Sequence, residues 1–119
     1  MIVKSFVDAS GSPAGDASFL RELLHPAKEP LALCYSLAHA EVGTGGKTLP
    51  HRLTGAEVYY VLEGRGLMHV GAETAEVGAG DTVYIPPGEV QHIENIGGGR
   101  LSFLCIVDPP WTPEGEEVI

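Results

Sequence analysis

The stretches GGKTLPHRLTGAEVYYVLEG, from Gly45 to Gly64, and GDTVYIPPGEVQHIEN, from Gly80 to Asn95, decide the fold of this chain. Each combines turn-forming glycine and proline with a short run of β-branched and aromatic residues, a composition typical of strands that end in tight turns. Polar residues stand at fixed intervals within both runs. The two stretches therefore predict short strands that carry a small set of functional side chains.

These stretches resemble the two motifs of the cupin superfamily, small β-barrels that usually hold one metal ion. The first follows the cupin pattern G(X)5HXH(X)3E(X)6G, and the second follows G(X)5PXG(X)2H(X)3N. Every spacing is kept, but Leu53 stands where the second histidine belongs and Gln91 stands where the last one belongs. The resemblance implies an all-β fold, a single-domain antiparallel jelly-roll β-barrel, whose metal site has two altered ligand positions.

The rest of the chain agrees with an all-β fold. From Leu31 onward, short apolar runs alternate with glycine, proline or asparagine, which predicts an antiparallel sandwich or barrel. Residues 17–24 fit either a helix or a strand, and we favour a strand because the N-terminal segment of cupins often pairs with a second subunit. We expect one domain over residues 1–119, with segment 1–30 available for dimer contacts, a barrel core at 31–108 and a tail at 109–119.

Composition restricts the partners of the chain. Its 7 Lys and Arg against 16 Asp and Glu give a net charge of −9, so no basic surface is available for nucleic acid or an anionic membrane. No apolar run is long enough to span a bilayer, and the N-terminus lacks the features of a signal peptide, so we expect a cytoplasmic protein. Cys34 and Cys105 lie in apolar runs, which predicts small core residues rather than a disulfide.

Alternation along the strand that follows Ala56 assigns its side chains to two faces. Glu57 and Tyr59 share one face, which we expect to line the barrel interior as the cupin glutamate does. The opposite face is apolar and predicts a homodimer contact; it carries Val58, Tyr60 and Leu62. An inward Glu57 needs a metal or a hydrogen-bond donor, because burying an unpaired carboxylate is costly.

The candidate metal ligands are His51, Glu57, Gln91 and His39. His51 and position 53 share a face, so Leu53 removes one ligand and adds an apolar wall. An amide oxygen at Gln91 suits Mn²⁺, Mg²⁺ or Ca²⁺ better than Zn²⁺, Ni²⁺ or Cu²⁺, although a buried glutamine serves equally well as a hydrogen-bonding group. The sequence leaves the face of His39 open; an inward His39 would complete a two-histidine, one-carboxylate set of the non-haem iron type.

Two further histidines fit structural roles better. His92 has the opposite parity to Gln91 and should face outward, and His25 precedes a proline in a turn or edge segment.

Three hypotheses for function follow. The first is a small-molecule-binding cupin with a divalent ion (Fe, Mn, Ni or Zn), acting as a dioxygenase or a sugar-type isomerase with Tyr59 as an acid or as a hydrogen-bond donor behind the metal ligands. The second is a metal-free cupin, either an isomerase or epimerase that uses His51 and Tyr59 as acid and base, or a ligand-binding module. The third is an interaction barrel without chemistry. The sequence identifies no substrate.

Overall fold

A computed structural model describes residues 1–119, and its regular secondary structure is almost entirely β-strand. Two 3-10 helices, Phe6–Asp8 and Pro113–Gly115, are the only helical segments, and neither has the length to cross a bilayer. The strands are β1 Gly11–Pro13, β2 Phe19–Leu24, β3 Ser36–Val42, β4 His51–Leu53, β5 Ala56–Glu63, β6 Arg65–Val70, β7 Glu73–Gly78, β8 Thr82–Ile85, β9 Gln91–Asn95, β10 Leu101–Asp108 and β11 Glu116–Val118.

The strands form two antiparallel sheets. One has six strands in the order β1-β2-β3-β10-β5-β8, and the other has five in the order β11-β4-β9-β6-β7. The crossovers between strands that are distant in sequence are those of a jelly roll, so the predicted fold class is confirmed.

The core lies between the inner faces of the two sheets. Residues of β10 alternate into it, where Phe103 packs on Tyr59 with ring centroids 4.3 Å apart. Cys105 is buried in this core as expected, but Cys34 is exposed. The expectation for Cys34 was wrong because β3 begins only at Ser36, so Cys34 precedes the strand.

Two motif glycines hold the turns that the sequence predicts. Gly64, at φ +88°, joins β5 to β6, and a Cβ there would stand 2.4 Å from the Arg100 carbonyl oxygen. Gly88, at φ +78°, donates its N–H to the Leu53 carbonyl at 2.8 Å. Both positions require a left-handed backbone, which glycine adopts without steric cost. The second contact also ties the two motifs together.

The ends of the chain complete the two sheets. β2 is a strand, as we favoured, and pairs antiparallel with β3 of the same chain. In the tail, the 3-10 helix begins at Pro113 and leads into β11, which pairs with β4 so that Glu116 stands opposite Leu53. The tail thus lies beside a motif strand, whereas the N-terminal segment extends the six-stranded sheet beyond β3.

Candidate active site

Strand β5 directs Glu57 and Tyr59 into the barrel, as its alternation predicts. Glu57 is only 6% exposed and Tyr59 only 2%, whereas Tyr60 on the opposite face is 42% exposed. β5 lies between β10 and β8, so both of its edges are hydrogen-bonded and its inner face lines the cavity between the sheets. The apolar outer face and the polar inner face are therefore both as expected.

Gln91 links these two side chains in a buried hydrogen-bonded chain. The Tyr59 hydroxyl donates to Gln91 Oε1 at 3.0 Å, and Gln91 Nε2 donates to Glu57 Oε1 at 2.9 Å. The amide thus satisfies an acceptor and a donor at once, which compensates for the burial of all three groups. Gln91 acts here as a bridge between Tyr59 and Glu57.

His51 is held in one orientation on the neighbouring strand β4. Its Nδ1 lies 2.7 Å from the Leu49 carbonyl oxygen, and because a carbonyl can only accept, Nδ1 carries the hydrogen. In the neutral ring Nε2 therefore has a free lone pair. That atom lies 3.6 Å from Asp16 Oδ2. His51 itself is 2% exposed.

Asp16, like Glu116, is a site residue that the sequence did not predict. Its Oδ1 accepts from the backbone N–H and the hydroxyl of Ser18, at 3.0 and 2.6 Å, which leaves Oδ2 facing His51. The Asp16 carbonyl accepts from the Leu49 N–H at 2.6 Å, and the Leu49 carbonyl accepts from His51 Nδ1. Leu49 therefore positions both Asp16 and His51. Ala17 has φ +74°, an uncommon backbone for alanine that is held in this turn. No motif marks this turn in the sequence.

Asp16, His51, Glu57 and Tyr59 line one cavity of about 380 Å³ inside the barrel, a volume typical of small-molecule sites. Carboxyl groups are supplied by Asp16, Glu22, Glu57 and Glu116, and the last of these comes from the tail strand β11. The apolar part of the wall includes Leu20, Ala38, Ala40, Leu53, Phe103, Val107 and Trp111. The cavity is therefore apolar with an acidic side, and Leu53 forms part of its wall as predicted.

Burial sets the protonation of the polar groups. Desolvation raises the pKa of Glu57 to about 8, with the nearby carboxyls of Asp16 and Glu116 adding to the effect and the Gln91 hydrogen bond opposing it. Burial also raises the pKa of Tyr59 well above its ordinary value, and it raises the pKa of Glu116. Near pH 7, then, Glu57 is mostly a protonated acid and Tyr59 is a neutral hydrogen-bond donor.

His39 does not join this group. Its neighbours Ala38 and Ala40 line the cavity, so alternation along β3 turns His39 to the outer face. There its ring packs edge-on against Phe6 with centroids 4.7 Å apart, and burial lowers its pKa. Its Nδ1 has no hydrogen-bond partner, the nearest carboxylate oxygen being Glu41 Oε1 at 3.9 Å.

The other two histidines also lie outside the cavity. His92 faces outward on β9 and stacks on His69. His25 donates from Nε2 to the Trp111 carbonyl at 2.7 Å and accepts the Ala27 N–H at Nδ1, so it fastens the N-terminal segment to the tail.

Comparison with known proteins identifies the family. The sequence model of the cupin domain matches residues 38–107, well over half of the chain. The protein is a cupin. Over 105 residues it is 49% identical to the uncharacterized protein MJ1618 of Methanocaldococcus jannaschii. This match covers 87% of the present chain and 83% of MJ1618. It is also 37% identical over 51 residues to the oxalate-binding protein of Thermotoga maritima, covering 43% of this chain and 42% of that protein.

Solved structures agree on the cupin fold. The polyketide cyclase RemF of Streptomyces resistomycificus superimposes over 100% of this chain and 85% of its own, with a TM-score of 0.82 and 24% identity. At this level of identity the likeness establishes the barrel and leaves the chemistry to the residues in the cavity.

The cavity donors do not fit the metal that cupins usually hold. Leu53 has no donor atom, His39 faces away, and both ends of the Gln91 amide are engaged by Tyr59 and Glu57. Only one group of three His, Cys, Asp or Glu side chains has its donor atoms within 4.8 Å of one another, and it lies on the outer face of the barrel. The predicted interior set of four ligands is therefore not assembled, although His51 and Glu57 share the cavity.

Proposed function

We propose that this cupin binds a small neutral carbonyl compound and transfers a proton on it without a metal ion, as an isomerase or a related acid–base enzyme. One observation carries the proposal: the cavity holds Glu57, with a pKa of about 8, together with His51, whose Nε2 lone pair is free. A general acid with a pKa near the working pH is well matched to proton transfer.

The roles of the two residues follow from their surroundings. Gln91 occupies Glu57 Oε1, so Oε2 is left to carry the proton and to donate it to a carbonyl oxygen. His51 Nε2 removes a proton from the carbon next to that carbonyl, and Asp16 Oδ2, 3.6 Å away, stabilises the imidazolium that forms. Tyr59 holds Gln91 in place and keeps its own proton throughout.

The charge of the cavity indicates the class of ligand. Asp16, Glu22, Glu57 and Glu116 all contribute carboxyl groups, whereas Lys28 is the one Lys or Arg side chain on the wall and is paired with Glu22. An oxalate dianion, which the name of the Thermotoga maritima relative implies for that protein, would be repelled by the Asp16 carboxylate, whose negative charge adds to the effect of burial in raising the pKa of Glu57. We therefore expect neutral ketones or aldehydes to bind in preference to keto acids.

Proton exchange in D₂O tests this function directly. Acetylacetone and dihydroxyacetone serve as neutral probes and pyruvate as the anionic counterpart, with loss of the α-proton signal followed by NMR in the presence of EDTA. The wild type should catalyse exchange on a neutral probe, His51→Gln and Glu57→Gln should abolish it, and the rate should fall as pH rises through about 8. The exposed Glu63→Gln change on the same strand is the matched control and should have no effect.

The metal-dependent dioxygenase or isomerase is the competing hypothesis. Asp16 Oδ2 beside His51 Nε2 favours it, because the pair supplies one carboxylate and one imidazole donor in the same cavity. Loss of exchange on EDTA treatment, with recovery on adding Mn²⁺ or Fe²⁺, would overturn the metal-free mechanism. Exchange that proceeds at the full rate in EDTA supports it.

We also propose that the outer face of β5 and β8 forms a homodimer contact. Tyr60 and Leu62 are each 42% exposed and Tyr84 is 64% exposed, and Val58 pairs with Tyr84 across the two strands. A Tyr60→Lys/Tyr84→Lys double variant should convert a dimer to a monomer in light scattering at micromolar concentration. A wild type that is monomeric at this concentration would contradict the proposal.

A further inference from the structure

The outer face of the five-stranded sheet carries a cluster of three side chains that the proposed function does not use. His69 on β6 and His92 on β9 stand directly opposite each other across the strand pair, and Glu94 lies two residues along β9 on the same face. All three are partly buried. One potential ligand atom from each lies within 4.8 Å of the others.

The contacts within this cluster are close. The two imidazole rings stack with centroids 4.0 Å apart and planes 10° from parallel, and His69 Nε2 lies 2.7 Å from Glu94 Oε2. The hydrogen bond from His69 lowers the pKa of Glu94, and burial lowers the pKa of His92. At neutral pH the cluster therefore offers an ionised carboxylate and an imidazole with a free lone pair.

We infer that His69, His92 and Glu94 form a zinc site that bridges β6 and β9 on the outside of the barrel. Two imidazoles and one carboxylate are a set of ligands that zinc accepts, and water supplies the fourth position of a tetrahedron. Proteins place such ligands on rigid neighbouring elements, as these two paired strands do.

Small movements convert the present geometry into a zinc site. Two ligand atoms of a tetrahedral zinc ion are about 3.4 Å apart when each bond is about 2.1 Å. His69 Nε2 and Glu94 Oε2, now 2.7 Å apart, need to separate by less than 1 Å, and the His69 ring keeps its hydrogen on Nδ1 instead. The stacked His92 ring tilts until one of its nitrogens points at the same ion.

The positive charge of Lys47 opposes zinc binding at this site. The Lys47 backbone pairs with that of Glu94 in an isolated antiparallel β-bridge, and its positive charge acts on both His92 and Glu94, so it would repel a cation bound there. Replacing it should strengthen zinc binding. An effect of this sign cannot arise from damage to the fold.

Competition of the full-length protein with a chromophoric zinc chelator tests the inference. The wild type should bind one zinc ion per chain, and His69→Ala, His92→Ala and Glu94→Gln should each weaken binding at least about tenfold, since even changes behind the ligands cost that much. Lys47→Gln should tighten it. The cavity variant His51→Gln is the matched control and should bind like the wild type.

Two results would overturn the site. One is no zinc binding by the wild type, and the other is unchanged binding in both His69→Ala and His92→Ala. Binding that disappears in His51→Gln but survives in the outer-face variants would place the ion in the cavity, which would reject this site and support the competing metal hypothesis for function. The two proposals can therefore fail separately.

Discussion

The Tyr59 hydroxyl donates to Gln91 Oε1 at 3.0 Å inside the barrel, and neither side chain has access to bulk water. This hydrogen bond places Gln91 where its amide nitrogen reaches Glu57. A histidine at position 91, as in the cupin pattern, would present a ring nitrogen at this point. In this chain position 91 instead carries a glutamine, whose amide accepts a hydrogen bond from Tyr59 and donates one to Glu57.

Removing the Tyr59 hydroxyl should leave Gln91 Oε1 buried without a donor. We expect Tyr59→Phe to lower the free energy of unfolding by about 1–3 kcal/mol. The neighbouring Tyr60 is on the exposed outer face, so Tyr60→Phe is the matched control and should change it by less than about 0.5 kcal/mol. Urea unfolding of the three proteins measures the difference. Equal stabilities for the two variants would show that the hydrogen bond contributes nothing.

The raised pKa of Glu57 predicts how stability depends on pH. Between its ordinary value of 4.5 and about 8, the folded protein holds a proton that the unfolded chain has lost, so the free energy of unfolding falls as pH rises through this window. The full effect is on the order of 5 kcal/mol.

Glu57→Gln should abolish this pH dependence, because the amide does not titrate. Urea unfolding from pH 5 to 9 should therefore give a shallower profile for this variant than for the wild type. Glu63→Gln, an exposed change on the same strand, should keep the wild-type profile. Parallel profiles for all three proteins would mean that Glu57 is ionised in the fold at neutral pH.

Restoring the two missing histidines should create a metal site in the cavity. Leu53→His together with Gln91→His adds imidazoles beside His51 and Glu57, since positions 51 and 53 are both buried on β4 and His51 pairs with Gln91. We expect this variant to bind one Zn²⁺ or Ni²⁺ per chain more than its parent. Metal content after dialysis measures this.

The experiment uses a His69→Ala/His92→Ala background, so that the outer-face cluster does not contribute. Arg52→His is the control, because residue 52 lies between the two positions but faces solvent. A parent protein that already holds a full metal equivalent would argue against the metal-free function.

The turn at Gly64 should tolerate no side chain. Gly64→Ala puts a Cβ 2.4 Å from the Arg100 carbonyl oxygen at φ +88°, and we expect a loss of more than about 2 kcal/mol of stability. Gly98 lies in the loop before β10 and has no atom near its Cβ position, so Gly98→Ala should be close to neutral. Thermal unfolding compares the two variants, and similar melting temperatures would contradict the steric argument.

The sequence predicted most of the fold because strand alternation and turn chemistry are local properties. Glu57 and Tyr59 point inward and Tyr60 points outward because successive side chains of a strand take opposite faces. The same rule placed His92 outside, and it would have placed His39 outside had the inward residues of β3 been identifiable. They were not, because Ser36–Val42 is apolar on both sides of His39.

By itself, then, the sequence determined the barrel, its turns, and the presence of His51 and Glu57 on inner faces, since these follow from the periodicity and from residue spacing. Only the tertiary structure decided what those residues meet. Asp16 and Glu116 reach the cavity through β-pairing of distant segments, and Gln91 contacts Glu57 across 34 positions of sequence. Contacts of this kind depend on how the sheets close, which no local pattern records. They surround His51 and Glu57 with further carboxyl groups in one buried cavity.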